Sequence, residues 1–154
     1  MRLSRRAGVI VVAGLVAVTV AAYLIGRVEP PGDVALDFWE AVLGGDAAAA
    51  MHLVIPYPSM PDAPRNEKEL LERARLALEQ AGFSRPEVSV VGANEWKGLS
   101  SYALMSFAEG DRTVLFTMVL QDRGWRGHWK VDFEACLHEL VANAQRRTDH
   151  LTAP

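Results

Sequence analysis

The chain has 154 residues, of which 50% are hydrophobic, so it can form one folded domain plus an appendage and is too apolar for global disorder. Its net charge of -3 is unevenly distributed: residues 1–27 hold four arginines and no acid, which leaves 12 of the 16 basic and all 19 acidic residues for residues 28–154. An acidic domain without a basic stripe argues against nucleic acid as a partner.

The first element is an uncharged apolar run over residues 7–26. Twenty helical residues extend about 30 Å, the thickness of the hydrocarbon core of a bilayer. The run exceeds the core of a typical signal peptide, so we expect a retained signal anchor over residues 1–27, in contact with membrane lipid; a cleaved signal is the alternative. More positive charge precedes the run than follows it, which predicts a single-pass protein of the cell membrane with a cytoplasmic N-terminus and an extracytoplasmic domain.

A proline-rich spacer over residues 28–32 leads into the predicted domain, residues 33–154. Asp33 has the chemistry of a helix N-cap, and the pair Gly44-Gly45 is expected to end the helix that follows it. Asp46 is expected to cap a second, alanine-rich helix that reaches about residue 55.

The stretch Asn66-Glu67-Lys68-Glu69 has the pattern of a capping box and predicts a third helix, which ends near Gly82. The polar face of this helix is expected to form i,i+4 ion pairs in solvent and not a binding patch. Its charged residues are Glu67, Lys68, Glu72, Arg73, Arg75 and Glu79.

Alternating apolar residues and turn sequences predict four strands after Pro86. Their expected bounds are Val88–Ala93, Ser101–Ala108, Thr113–Gln121 and Gly127–Phe133. Helices followed by consecutive hairpins predict an α+β fold in which helices pack on an antiparallel sheet of about four strands. In the last strand, alternation places Trp129 on the dry face and Asp132 on the wet face. A final helix is expected over about residues 137–144.

Three features resemble the nuclear transport factor 2-like, or cystatin-like, superfamily: Phe38-Trp39 in the opening helix, Gly45-Asp46 before an alanine-rich helix, and Trp129-Lys130-Val131 in the last strand. The resemblance covers about residues 33–134 and implies a strongly bent sheet that forms a cone with a pocket. A closing helix over residues 135–148 is not usual in that superfamily. Membrane-anchored versions resemble transport-accessory proteins and an inner-membrane subunit of type IV secretion systems, which act mainly as assembly or accessory parts.

Enzymes of this superfamily, such as ketosteroid isomerases and polyketide cyclases, use acids and tyrosines inside the cone. The candidates here are Asp37, Tyr57, Tyr102 and Asp132. The two acids are expected to face water, Tyr57 lies in a proline-rich loop, and no pair satisfies a catalytic spacing. We therefore assign no catalytic residue and predict a protein that is not an enzyme, with a cyclase-like or isomerase-like activity as the least favoured alternative.

A second alternative is a cone that binds a small apolar ligand or a lipid. Large side chains would line such a pocket, and the candidates are Trp39, Tyr102, Phe116 and Trp129. Placement in the core is the alternative expected for Trp39 and Trp129, and a core position explains Tyr102 as well as a pocket does.

Cys136 is the only cysteine, which excludes an internal disulfide. We expect a small buried hydrophobe at this position. His138 follows two residues later, but residues at i and i+2 of a helix point apart, and structural zinc needs about four ligands. The sequence therefore predicts neither a metal site nor another cofactor.

Trp96 and Trp125 each lie in a predicted turn between strands. Exposed tryptophans often anchor protein interfaces, although each ring could instead pack over the sheet edge. The resulting prediction is a membrane-anchored, non-catalytic accessory or assembly subunit of a cell-envelope complex. Its extracytoplasmic domain would bind partner membrane-complex proteins, with Trp96 and Trp125 at the interface.

Overall fold

A computed structural model describes residues 30–56, 59–94, 100–122 and 128–152 of the chain. The helices are α1 (Pro31–Gly44), α2 (Ala47–Leu53), α3 (Glu67–Gln80) and α4 (Phe133–Thr152), and the strands are β1 (Glu87–Asn94), β2 (Ser100–Glu109), β3 (Arg112–Asp122) and β4 (Trp129–Val131). The strands form one antiparallel sheet in the order β1-β2-β3-β4. The prediction of an α+β fold with helices packed on a four-stranded antiparallel sheet is confirmed.

The predicted membrane anchor, residues 7–26, lies outside the described residues. Within the described part of the chain, no helix combines the length and the apolar character that a membrane crossing requires.

The start of α1 differs from the prediction. Pro30 occupies the N-cap position and no side chain caps the helix, so the predicted cap at Asp33 is wrong. Pro31 begins the helix because its fixed φ angle suits the first turn, where a backbone N–H would have no partner within the helix. Asp33 lies within the first turn, where its negative charge interacts favourably with the positive end of the helix dipole.

The ends of the first helices follow the predicted chemistry. Gly45 has a φ of 75°, the left-handed conformation that glycine adopts at little cost, and it ends α1. The carboxylate of Asp46 accepts a hydrogen bond from Ala49 N at 3.0 Å and caps α2. Helix α2 ends earlier than predicted, because Val54 forms a parallel bridge with Val131 and Ile55 N donates to the Val131 carbonyl at 3.1 Å.

Asn66 caps α3 as predicted, but the reciprocal bond of the predicted capping box is made to Arg65 N, one residue before the N-cap. Glu69 N donates to Asn66 Oδ1 at 3.0 Å, and the Glu69 carboxylate in turn accepts from Arg65 N at 3.0 Å. The solvated face carries the expected ion pairs Lys68–Glu72 and Arg75–Glu79.

The last strand is shorter than predicted, because β4 ends at Val131 and Phe133 begins α4. The expected wet position of Asp132 is therefore wrong, since this residue is only 7% exposed. Its carboxylate caps α4 by accepting from Ala135 N at 3.2 Å, and it also accepts from Gln121 Nε2 at 3.2 Å. A helix cap, and not strand alternation, fixes its orientation.

The hydrophobic core lies between the helices and one face of the sheet, here called the inner face. The register of β2 and β3 places alternate residues there, and helices α1, α3 and α4 contribute side chains to the same cluster. Inner-face residues of these two strands include Ala103, Met105, Phe107, Val114, Phe116, Met118 and Leu120.

Candidate functional site

Two of the predicted pocket residues, Trp39 and Phe116, lie in a packed aromatic cluster. The ring of Trp39 is 4.9 Å from that of Phe107 and 6.1 Å from that of Phe116, centroid to centroid, with the planes nearly perpendicular. Such edge-to-face pairs stabilise a core beyond the area that they bury. Trp129 is also buried, so these three residues belong to the core, as the alternative placement of the two tryptophans predicted.

The polar groups of the core include two buried indole N–H donors and the buried thiol of Cys136. The indole Nε1 atoms of Trp39 and Trp129 are buried and have no hydrogen-bond partner of ordinary geometry. Burial raises the pKa of the Cys136 thiol; the nearby Trp39 indole partly offsets this rise, and the Asp132 carboxylate adds to it. A neutral, buried thiol is a poor nucleophile, so Cys136 is the buried hydrophobe that the sequence predicts.

Tyr102, the fourth predicted pocket residue, lies on the opposite face of the sheet from the other three. It pairs with Asn94 and Val119, is 41% exposed, and follows Ser101, which is buried. Because side chains alternate across a strand, Tyr102 cannot share a pocket with Trp39 and Phe116. Its predicted place inside the cone is therefore wrong.

The remaining catalytic candidates are not brought together. Asp37 is exposed on α1, as predicted, whereas Asp132 serves as a helix cap. Tyr57 lies outside the described residues. Among the residues that the structure describes, no group of three or more histidine, cysteine, aspartate and glutamate side chains could hold a metal ion.

The exposed side of the sheet, here called the outer face, is the most distinctive surface of the described residues. On β2 and β3 it presents Tyr102 and two leucines, Leu104 and Leu115, which are 37% and 50% exposed. The register adds small or polar neighbours on these strands, and it places two charged residues at the margins of the same face: Glu87 pairs with Ala108, and Lys130 pairs with Gln121. The uncharged positions of the outer face include Ser89, Gly92, Asn94, Tyr102, Leu104, Ser106, Ala108, Thr113, Leu115, Thr117 and Val119.

A hollow of about 410 Å³ lies on this outer face. It forms where β1 departs from regular pairing between Val90 and Gly92, and where Gly92 provides no side chain. Its lining residues are Gly92, Ala93, Asn94, Tyr102, Leu104 and Thr117.

A second hollow, of about 280 Å³, lies between the loop before α3 and the start of α4. Arg73 borders it, forms ion pairs with Glu69 and Glu134, and donates to the Asp62 carbonyl. Its guanidinium also lies 5.1 Å from the centre of the Phe133 ring. The charge of Arg73 is thus matched within the fold, and these contacts join α3 to α4.

Sequence reasoning missed the outer face, although a signal was present. Residues 100–108 and 113–120 contain no charged side chain, whereas a strand with one solvated face usually alternates apolar with polar residues. The absence of charge on both sides of the alternation indicates two strands whose outer side is also suited to an apolar contact.

The predicted interface residues Trp96 and Trp125 lie outside the described residues. Comparisons with protein-family models, with curated proteins and with solved structures find no match. The resemblance to the nuclear transport factor 2-like superfamily therefore remains a prediction from the sequence.

Proposed function

We propose that this protein is a non-catalytic assembly or accessory subunit, anchored in the cell membrane by residues 7–26, that acts through protein contacts made by its extracytoplasmic domain. The single observation that carries the proposal is the outer face, where exposed apolar side chains lie among small and polar residues and the charges of Glu87 and Lys130 lie at the margins. Exposed, contiguous apolar surface on a folded domain marks an interaction site more often than it marks neutral surface.

The composition of the outer face supports a protein partner. Leu104 and Leu115 are exposed near its centre and Tyr102 towards one end, while serine, threonine and asparagine lie around them. Protein interfaces combine an apolar core that is depleted in charge with a polar rim. Trp96 and Trp125 extend the proposal, because the residues that flank their loops, Asn94 with Ser100 and Asp122 with His128, lie at one end of the sheet by its hairpin order.

The interior gives less support to the alternative functions. An enzyme of the isomerase type needs an acid or a tyrosine inside the cone, but Tyr102 is on the outer face and Asp132 is engaged as a cap. A lipid in the cone would need space among Trp39, Phe107 and Phe116, whose rings already pack edge to face.

The test is affinity capture of the tagged full-length chain from its own membranes, in mild detergent and at native expression level, with quantitative mass spectrometry. The double variant Leu104→Glu/Leu115→Glu introduces charge into the outer face. The matched control is Leu76→Glu, because Leu76 is 54% exposed but lies on α3, away from that face.

We expect a stoichiometric set of membrane proteins with the wild type and with Leu76→Glu, and loss of that set with the double variant. Recovery of the same set with all three chains, or recovery of the wild type alone, would contradict the proposal. A parallel pair, Trp96→Ala and Trp125→Ala, measures what the two loop tryptophans add.

A further inference from the structure

The fold treats the two edges of the sheet differently. At the β4 edge, Val54 forms a parallel bridge with Val131, and Ile55 N donates to the Val131 carbonyl. Within the described residues β1 pairs with β2 alone, so no strand lies along its other side. An uncovered strand edge presents backbone N–H and C=O groups that can pair with a strand from another chain.

The register identifies the backbone groups on this free side of β1, here called the β1 edge. Glu109 and Arg112 flank a two-residue turn and therefore form a hydrogen-bonded pair. Bonded and non-bonded pairs alternate from there, so odd-numbered residues of β2 bond to β3 and even-numbered ones bond to β1. The N–H and C=O groups that lie opposite odd-numbered residues of β2 point away from the sheet, and they belong to Val88, Val90 and Ala93.

The β1 edge lacks common devices that keep strand edges from pairing. Lysine and proline often serve this purpose, but β1 contains neither, and its one charged residue, Glu87, lies at its start. The irregularity between Val90 and Gly92 interrupts the edge, and it leaves the apolar side chain of Val91 57% exposed. The edge is therefore suited to the addition of a strand.

The hollow on the outer face lies beside this edge. It is bordered by Gly92 on β1 and by Tyr102 and Leu104 on β2, and Gly92 has no side chain to separate the hollow from the edge. Side chains of an added strand alternate between the two faces of the sheet, so one of those on the outer face reaches the hollow. In strand addition, backbone bonds give affinity and pockets for alternate side chains give specificity.

The charge near the β1 edge favours a basic segment. Helix α1 packs against β1, since a Cβ at Gly32 would lie 3.2 Å from Val90 Cγ1. The exposed side of α1 carries Asp33, Asp37 and Glu40, and neither α1 nor β1 contains a lysine or an arginine. These acids attract basic side chains on the inner side of an added strand. A second copy of this chain would bring the same acids to the contact, which disfavours it as the occupant.

Backbone, hollow and charge together define an occupant for the β1 edge. We infer that an extended segment of a partner protein, in which basic and apolar residues alternate, adds to β1 as a fifth strand. Its backbone bonds to the β1 edge, an apolar side chain occupies the hollow beside Gly92, and its basic side chains lie toward α1. This inference deepens the proposed function, on which it rests, by naming the chemistry of the partner segment.

The experiment measures peptide binding to the full-length chain in mild detergent by fluorescence anisotropy. The probe is a labelled peptide, Lys-Val-Lys-Leu-Lys-Val-Lys. Two control peptides have the same sequence with methyl groups on alternate backbone nitrogens, in the two possible frames, so each lacks the N–H groups on one side of an added strand. We expect one frame to bind as the probe does and the other to bind at least about tenfold more weakly. A peptide with glutamate in place of lysine should not bind.

Three variants test the same contact from the side of the protein. Ala93→Pro removes an outward N–H without loss of a bond to β2, and Gly92→Leu fills the hollow, where a Cβ meets no atom within 4 Å. Val91→Lys places a positive charge on the edge, and Leu76→Lys is its matched control, because Leu76 on α3 is 54% exposed. Each of the three should weaken binding of the probe at least about tenfold, whereas Leu76→Lys should leave it unchanged. Unchanged tryptophan fluorescence and melting temperature establish that each variant is folded.

Hydrogen exchange followed by mass spectrometry locates the bound peptide. The backbone amides of Val88 and Val90 should exchange rapidly in the chain alone and slowly with the probe. Protection of these amides in the chain alone, increasing with its concentration, would assign the edge to a second copy and overturn the inference.

The results separate this inference from the proposed function. Equal binding of the two methylated frames, binding that survives both Ala93→Pro and Val91→Lys, or no saturable binding up to about 1 mM peptide overturns the strand addition. If it is overturned but Leu104→Glu/Leu115→Glu still loses the captured partners, the outer face acts without the edge and the proposed function stands. If the probe binds as expected but that double variant does not affect capture, the strand addition stands and the proposed role of the outer face fails.

Discussion

The inner and outer faces of strands β2 and β3 both carry large apolar residues, but only the outer face mixes them with serine and threonine, and the two faces have different surroundings. On β2, Met105 and Phe107 point inward and are fully buried, whereas Tyr102 and Leu104 point outward and are more than a third exposed. The inner face is covered because α1 and α4 pack on it with aromatic and aliphatic side chains. The comparison shows that the two sides of one strand can have different roles. One side forms the core of the domain, and the other side stays exposed on the surface.

The largest expected effect comes from placing a charge on each face in turn. Met105→Glu buries a carboxylate without a partner, and a rise in its pKa of about 3 units corresponds to about 4 kcal/mol lost from the free energy of unfolding. Leu104→Glu, one residue away, should change that free energy by no more than about 0.5 kcal/mol, because its side chain reaches water. Urea unfolding followed by tryptophan fluorescence measures both. Equal losses would mean that the two faces are equally buried.

A smaller effect is expected from weakening the helix that covers the inner face. Asp132→Ala removes the cap at Ala135 N and the partner of Gln121, which should lower the free energy of unfolding by about 1–2 kcal/mol. Asp132→Asn keeps a side-chain acceptor for the cap and should lose less. Thermal unfolding compares the two variants, and Leu104→Glu on the outer face provides the control, since it should leave the stability nearly unchanged. If Asp132→Ala had no effect on stability, its assignment as a structural cap would be wrong.

The smallest effect is a pH dependence of the core beneath α4. Burial raises the pKa of the Cys136 thiol in the folded protein, while in the unfolded chain the thiol ionises near its ordinary pKa of about 8.5. Above that pH the unfolded state binds fewer protons, so stability is intact below pH 8 and falls as the pH rises. At one unit above the ordinary pKa the loss is about 1.4 kcal/mol.

This dependence is measured as the difference in unfolding free energy between pH 8 and pH 9.5, for the wild type and for Cys136→Ala. The variant lacks the thiol, so its loss over this range should be smaller by about 1 kcal/mol. Parallel curves for the two proteins would show that Cys136 ionises equally in both states.

Local chemistry in the sequence predicted much of the fold. The caps at Asp46 and Asn66 and the turn at Gly45 were predictable because each depends on a side chain or a φ angle within a few residues. The error at Asp132 arose where two local rules compete, strand alternation and helix capping, and the cap prevailed because β4 ends at Val131.

The candidate site was less predictable, for a physical reason. Side chains alternate between the two faces along each strand. Tyr102 on β2 and Phe116 on β3 can be assigned to opposite faces only when the register of the two strands is known, because a shift of one residue would move every side chain of one strand to the other face. Sequence reasoning therefore grouped Tyr102 with Trp39 and Trp129 in one pocket, whereas the register places Tyr102 on the outer face.

The sequence by itself determined the acidic character of residues 28–154, the apolar run over residues 7–26, the α+β order of the elements and the two uncharged strands, because these depend on composition and short-range pattern. Only the tertiary structure decided which side of those strands became the core. That choice depends on where α1 and α4 pack, and therefore on contacts between residues far apart in the chain. Once the helices cover Met105 and Phe107, the outer face with Leu104 and Leu115 stays exposed.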